Sequence, residues 1–273
     1  MTKLSPDDEM RSLIGVAGCG RMGAPMLAAL RAAGLPARGY DVVPSEMDHI
    51  TDDIAVFCED LETLITVVRD IDQTDAVLFG DQNFTAIPSL RRIILCSTLS
   101  PRYVRELRDR VPPHITLIDA PMSGAQIAAE QARLSFMLGG DSDDLSAAQP
   151  LFSAMGKHFH HMGAYGAGMQ AKVLNNLLAA SNTAMTRLVL DWADQSGLDE
   201  GKLLKLIHTS SGQNWLASGF DDIEFSRDGF APDNTIGILV KDVASALDAA
   251  PEGADITLPN VIKTAIKNLK PRS

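Results

Sequence analysis

Lys172 and Asn176 stand four residues apart in a stretch, 168–196, that holds no proline and no glycine after its first residue. At helical spacing the two side chains share a face, one turn apart. An amine beside an amide can move a proton and hold a polar substrate. A lysine serves as a general base where burial and a neighbouring cation bring its pKa towards neutrality, and its ammonium form stabilises a developing alkoxide. Lys241 is a candidate for that cation. Most helical lysines are surface residues, but Val173 and Leu177 flank this pair, so its face does not read as a solvated one.

A second group of residues is suited to phosphate. Gly18-Cys19-Gly20-Arg21-Met22-Gly23 follows an apolar run and opens a stretch of helical periodicity. In such a G-x-G-x-x-G the first glycine makes the tight turn, the second lets the backbone approach a pyrophosphate, and the third lets helix and strand pack closely. The pyrophosphate then rests on free N–H groups at the helix N-terminus. Without the flanking strand and helix the same letters describe only a glycine-rich turn. Asp41 comes 23 residues after Gly18, at the end of the second strand. There a carboxylate accepts from the adenosine ribose hydroxyls and repels a 2′-phosphate, which favours NAD over NADP. No arginine directly follows it, and Arg38 lies inside the strand.

Other candidates carry less. Ser123 precedes a glycine, as turn serines do, and no G-x-S-x-G surrounds it, so it does not read as a hydrolase nucleophile. His158, His160 and His161 suggest a metal, but strand alternation points His161 away from the other two and no carboxylate or cysteine completes a set, so no metal site is expected. Trp215 follows a polar run, 210–214, and serves equally as a core anchor or as a wall of a substrate site.

These groups need a frame. From residue 13 to about 162, short apolar runs alternate with longer helical stretches, the pattern of βα units on a parallel sheet. Residues 13–17, 37–43, 64–68, 76–80, 93–96 and 115–118 read as strands. Residues 134–138 read as a further strand, open to an antiparallel placement, and 22–33 and 101–110 read as helices. After Gly166 helical patterns take over, beginning with the long stretch that Gly197 ends. The expected fold class is α/β: a Rossmann-type parallel-sheet domain, 1–165, joined by a long helix to an all-α substrate and oligomerisation domain, 166–273.

The chain has 273 residues, 45% of them hydrophobic and 22% charged, enough for two cores. Its net charge of −11 argues against nucleic acid and against an anionic membrane surface. Three scattered cysteines form no disulfide framework or zinc pattern. Residues 1–12 are polar with no apolar h-region, and no membrane span is visible, so a cytoplasmic protein is expected.

Four stretches together resemble the β-hydroxyacid dehydrogenase family, which includes 3-hydroxyisobutyrate dehydrogenase and tartronate semialdehyde reductase and shares an NAD-binding type with 6-phosphogluconate dehydrogenase. The first is Gly18 to Met26, like the family's G-x-G-x-M-G-x-x-M, and the second is Asp119-Ala120-Pro121-Met122-Ser123-Gly124-Ala125, close to its D-A-P-V-S-G-G. The third is Gly166-Ala167-Gly168 to Lys172-Val173-Leu174-Asn175-Asn176, like G-x-G-x-x-x-K-x-x-N-N, and the fourth is Lys241-Asp242, like K-D-L. Their order spans nearly the whole chain.

The resemblance implies hydride transfer between NAD(H) and a small anionic β-hydroxy acid, or its semialdehyde or keto acid. Lys172 would be the acid/base, Asn176 would orient the substrate, and Ser123, Gly124 and Ala125 would form the loop that holds its carboxylate. Gly18, Gly20, Arg21, Met22, Gly23 and Asp41 would bind the cofactor. Val67 and Val68, with Arg69, would pass beneath it, Thr98 would touch the nicotinamide ribose, and Lys241 would lie near the nicotinamide end. A homodimer or homotetramer is implied as well.

Three departures stand out. Ala125 replaces the second glycine of the substrate loop, Asn234 stands where relatives often carry Phe, and the chain stops at Ser273, about one helix early, which would weaken a subunit interface or a lid. The first two favour a polar substituent on the substrate over a bare methyl. An imine reductase shares the architecture but commonly lacks the lysine. A non-catalytic dinucleotide-binding module would have lost the lysine or the carboxylate loop.

Overall fold

The computed structural model describes residues 13–272. The polar N-terminal stretch 1–12, on which the reading of a leaderless start rests, lies outside the described residues. The chain divides into two compact units, the first running to Lys172 and the second starting at Val173.

The first unit is built on β1 (Leu13–Ala17), α1 (Gly23–Ala32), β2 (Ala37–Tyr40), β3 (Ile50–Thr51), α2 (Ile54–Cys58), β4 (Leu61–Thr66), α3 (Ile71–Leu78), β5 (Arg92–Leu95), α4 (Pro101–Arg110) and β6 (Thr116–Asp119). It continues with β7 (Met122–Ser123), α5 (Ala125–Glu130), β8 (Leu134–Gly139), α6 (Ser142–Met155) and β9 (Gly156–Gly163). The strand order among the described residues is β3-β2-β1-β4-β5-β6-β8-β7, with β9 parallel beside β8. From β3 to β6 every neighbouring pair is parallel. Consecutive strands diverge to either side of β1, so β1 and β4 flank the switch point at which such sheets take their ligands, at the carboxyl ends of the strands. One core packs α1 and α6 on one face of the sheet, through Met26, Leu30, Leu151 and Phe152. The other face buries Phe57, Val77, Leu78, Tyr103 and Leu107.

Two expectations change. Residues 76–80 are not a strand but the last turn of α3 and its exit. Asp70 caps that helix by accepting from the Gln73 N–H at 2.9 Å, and Thr74, Val77 and Leu78 bury one helical face. The short apolar run hid a helix because its cap lies outside it. The strand read at 37–43 ends at Tyr40, which leaves Asp41 just past its tip. The strand at 134–138 pairs antiparallel with β6 and β7 and parallel with β9.

The second unit is helical: α7 (Ala167–Gln195) from Val173 onward, α8 (Glu200–His208), α9 (Trp215–Ser218), α10 (Thr235–Asp248) and α11 (Thr257–Lys267). Ala180, Leu190, Leu216, Phe220, Ile236, Val243 and Ile266 form its core. Arg187 is 2% exposed and donates to the carbonyls of Ser226, Asp228 and Lys270, which ties the C-terminal tail to the loop before α10. The first unit takes in the start of α7, up to Lys172. The first turns of α7 pack with the sheet, because Met169 is buried in the core of the first unit.

Candidate active site

The glycine loop leaves β1 at the switch point. Gly18 has φ +91°, and a Cβ on it would lie 2.7 Å from the carbonyl oxygen of Val67, so the tight turn admits no side chain. A Cβ on Gly23 would collide with the Gly18 carbonyl, whereas one on Gly20 would meet nothing within 4 Å. The backbone is therefore open where a phosphate must approach and closed on either side of it. No side chain caps the start of α1, and no acidic residue lies in its first turn, so the N–H groups there suit an anion. Asp41 accepts from the backbone N–H groups of Cys19, at 2.8 Å, and Val43, at 3.0 Å. It thus fixes the loop while keeping further acceptor capacity. Burial, then the nearby Asp41 charge, pushes the Cys19 thiol up to about 12.

The loops after β4 and β5 are laced to this turn. The Val67 N–H donates to Ala17 O at 2.8 Å, and the Val68 N–H donates to Ser97 Oγ at 3.0 Å, with Thr98 half-buried beside it. Arg21 Nε donates to Gln126 Oε1 at 3.2 Å, so the glycine loop reaches α5, the helix after the expected carboxylate loop.

The catalytic lysine candidate is held within the first unit. Lys172 is 8% exposed, and its Nζ donates to the carbonyl oxygen of Met122 at 2.8 Å. A carbonyl takes one N–H from either the ammonium or the neutral amine, so this contact orients Nζ in both states. Met122 belongs to the segment that carries Ser123 and Gly124, and at its other end Asp119 is buried under the start of α7. Burial raises the Asp119 carboxyl above the usual range, although the N–H groups of Gly166 and Met169 pull it down.

In the second unit Asn176 is buried, and its Nδ2 donates to Asp242 Oδ2 at 2.6 Å. Asn175 Nδ2 donates to Asn176 Oδ1 at 3.2 Å. Asp242 is itself buried, and Lys241 beside it is half-buried. The sequence reading gave Asp242 no role. Its signal was available, because it falls on the stripe Ile236, Leu239, Val240, Val243, Ala246 that α10 buries, where a carboxylate needs a partner.

Residues 13–163 match the family described as the NAD binding domain of 6-phosphogluconate dehydrogenase, and residues 166–268 match the NAD-binding of NADP-dependent 3-hydroxyisobutyrate dehydrogenase. This chain belongs to the β-hydroxyacid dehydrogenase family. Its first unit is thereby a Rossmann-type NAD-binding domain, and the chain is an oxidoreductase. It is 29% identical to a 3-hydroxyisobutyrate dehydrogenase of Pseudomonas aeruginosa, over 86% of this chain and 84% of that one. It is also 29% identical to an NAD-dependent L-serine dehydrogenase of the same organism, over 89% and 87%. A solved Mycobacterium tuberculosis 3-hydroxyisobutyrate dehydrogenase with L-serine superposes with a TM-score of 0.78 at 26% identity, covering 95% of this chain and 96% of that one.

Two of the departures expected from the resemblance take structural form. Gly124 has φ +136°, and Ala125, in place of glycine, is forced to φ +52°, a left-handed conformation that costs a residue with a Cβ roughly 1–2 kcal/mol. The Asn234 amide, expected to favour a polar substituent on the substrate, is bonded to backbone. It caps α10, accepting from the Gly237 N–H at 3.0 Å and donating to Gly229 O at 2.8 Å, so both of its ends are engaged. Trp215 begins α9 half-exposed, with its ring 6.0 Å from that of Phe225. His158, His160 and His161 lie on β9, and among the described residues no three His, Cys, Asp or Glu are grouped to hold a metal. No described helix is long and apolar enough to cross a membrane.

Proposed function

We propose that this enzyme oxidises a small β-hydroxy acid to its semialdehyde or keto acid, or runs the reverse, with Lys172 as acid/base. The observation that carries the reading is the buried Lys172 Nζ held on Met122 O, one residue from Ser123. NAD, when bound, accepts the hydride from the carbinol carbon. In oxidation, Lys172 Nζ in its neutral form takes the hydroxyl proton. In reduction the ammonium returns it and stabilises the alkoxide. Ser123 Oγ and the Gly124 N–H bind the substrate carboxylate, with Ala125 shaping that loop, and the Asn176 amide orients the hydroxyl-bearing carbon. Lys241 adds positive charge near the nicotinamide end.

Gly18, Gly20, Arg21, Met22 and Gly23 hold the pyrophosphate turn, Val67 and Val68 floor the cofactor, and Thr98 meets its ribose. Asp41 favours NAD over NADP, because a 2′-phosphate would meet its carboxylate. Assembly as a homodimer or homotetramer is supported by an apolar stripe on α7, where Leu178, Met185, Leu188 and Trp192 are exposed at heptad-like spacing. Light scattering of the purified chain checks this. The free thiols fit a reducing, cytoplasmic setting.

The test of the reaction is NADH absorbance on mixing the protein with NAD and a panel containing 3-hydroxyisobutyrate, L-serine, glycerate and larger polar hydroxy acids. Turnover of at least one supports the reading. No turnover of any member in either direction contradicts it.

A further inference from the structure

We infer that Asp119 is a positioning residue for catalysis, a buried carboxylate that anchors the first turn of α7 and thereby sets where Lys172 Nζ lies. The inference rests on the reading of Lys172 as acid/base. Asp119 is fully buried at the end of β6. Its Oδ1 accepts from the Gly166 N–H at 2.7 Å and its Oδ2 from the Met169 N–H at 2.6 Å. Both N–H groups lie at a helix start, where the backbone lacks helical acceptors, so one carboxylate satisfies two of them. Lys172 comes three residues after Met169, on the next turn.

The surroundings are built around this contact. A Cβ on Gly139, in the neighbouring strand, would collide with Asp119 Oδ1. A Cβ on Gly168 would lie 2.9 Å from the Gly139 N and 3.0 Å from the Asp119 carbonyl oxygen, and would collide with Met137 O. Helix and sheet therefore touch backbone to backbone here, and the carboxylate fills the remaining space. The Met169 side chain adds a second hold, because its Sδ lies 3.3 Å from the Leu99 N–H.

The same short segment then grips the lysine itself, since Met122 O, three residues beyond Asp119, takes Nζ. Backbone anchor and side-chain rest thus come from one piece of chain, 119–122. A displacement of the helix start relative to that piece moves Nζ against the Ser123–Gly124 loop, where about 1 Å is enough to cost on the order of a hundredfold in rate.

Asp119→Asn is the test variant. Its amide keeps one acceptor oxygen and turns an NH2 towards the other backbone N–H, so one of the two contacts is lost. Amide exchange at Gly166 and Met169, read by NMR on the full chain, is expected to rise at least tenfold. With the best substrate of the panel, kcat is expected to fall at least tenfold and the acid limb of its pH profile to move. NADH affinity and substrate KM should stay within about threefold. Gly168→Ala, which crowds the same contact without altering the carboxylate, should reproduce the kcat loss and serves if Asp119→Asn does not fold.

An unchanged kcat and pH profile, even with a lowered Tm, would make Asp119 merely structural and overturn the inference. Unchanged exchange at both amides would overturn it as well. Lys172→Ala is run in parallel. If that variant keeps its turnover, the acid–base reading fails, a result distinct from loss of the anchor, which the two amides report.

Discussion

The side-chain amide of Asn176 donates to the buried carboxylate of Asp242 at 2.6 Å. This bond fixes which end of the amide is nitrogen, so the remaining N–H and the oxygen face known directions. Asp242→Ala leaves a buried N–H without that acceptor, at a cost of about 1–3 kcal/mol. If the amide orients substrate, kcat/KM should fall roughly five- to a hundredfold while NADH binding, followed by fluorescence, is retained. Parental kinetics in the variant would detach Asn176 from the reaction.

Cofactor choice is expected to turn on Asp41. Asp41→Ser should raise kcat/KM with NADP and lower it with NAD, since the carboxylate no longer repels a 2′-phosphate. It also removes the acceptor for the Cys19 and Val43 N–H groups, so some loss with both cofactors is expected. Equal efficiency with NAD and NADP in the unaltered enzyme would contradict this role.

At Ala125 the left-handed backbone makes glycine the better residue. Ala125→Gly should relieve about 1–2 kcal/mol of strain and return about 0.4–1 kcal/mol as unfolded-chain entropy. The net is a modest stabilisation, visible as a raised midpoint in urea. Substrate KM should change while NADH affinity does not. A clearly lowered midpoint would show that the methyl packs usefully where it lies.

Parts of this architecture can be read from local sequence and parts cannot. The glycine loop and the long helix announce themselves because glycine spacing and helical periodicity act within a few residues. The end of the helix at 71–78 reads as a strand at 76–80, because a short apolar run fits either period and Asp70, the cap that decides, sits outside it. Asp119 meets partners 47 and 50 residues away, and Asn176 meets Asp242 across 66. Only the fold makes such pairs neighbours. Asn234 shows the opposite hazard, a residue that reads as selecting a polar substrate and whose amide is engaged in a helix cap.

Glu200 gives the helical unit a pH signature. Burial alone would raise its carboxyl, but bonds from Arg227 and Arg272 outweigh that and hold it below the ordinary value of 4.5. A lowered folded pKa contributes stability that is complete above the unfolded value and is lost as pH falls through the folded one. Glu200→Gln should therefore cost about 1 kcal/mol at pH 7. That difference should shrink steadily once the pH drops below 4.5. A difference independent of pH would assign the effect to packing.

The central claim is that Lys172, resting on Met122 O, moves the proton. Lys172→Ala, assayed by single-turnover hydride transfer so that chemistry limits the rate, tests it most directly. The account predicts a loss of about 10²–10⁴-fold with NADH affinity nearly intact. A loss of less than tenfold under those conditions would contradict it.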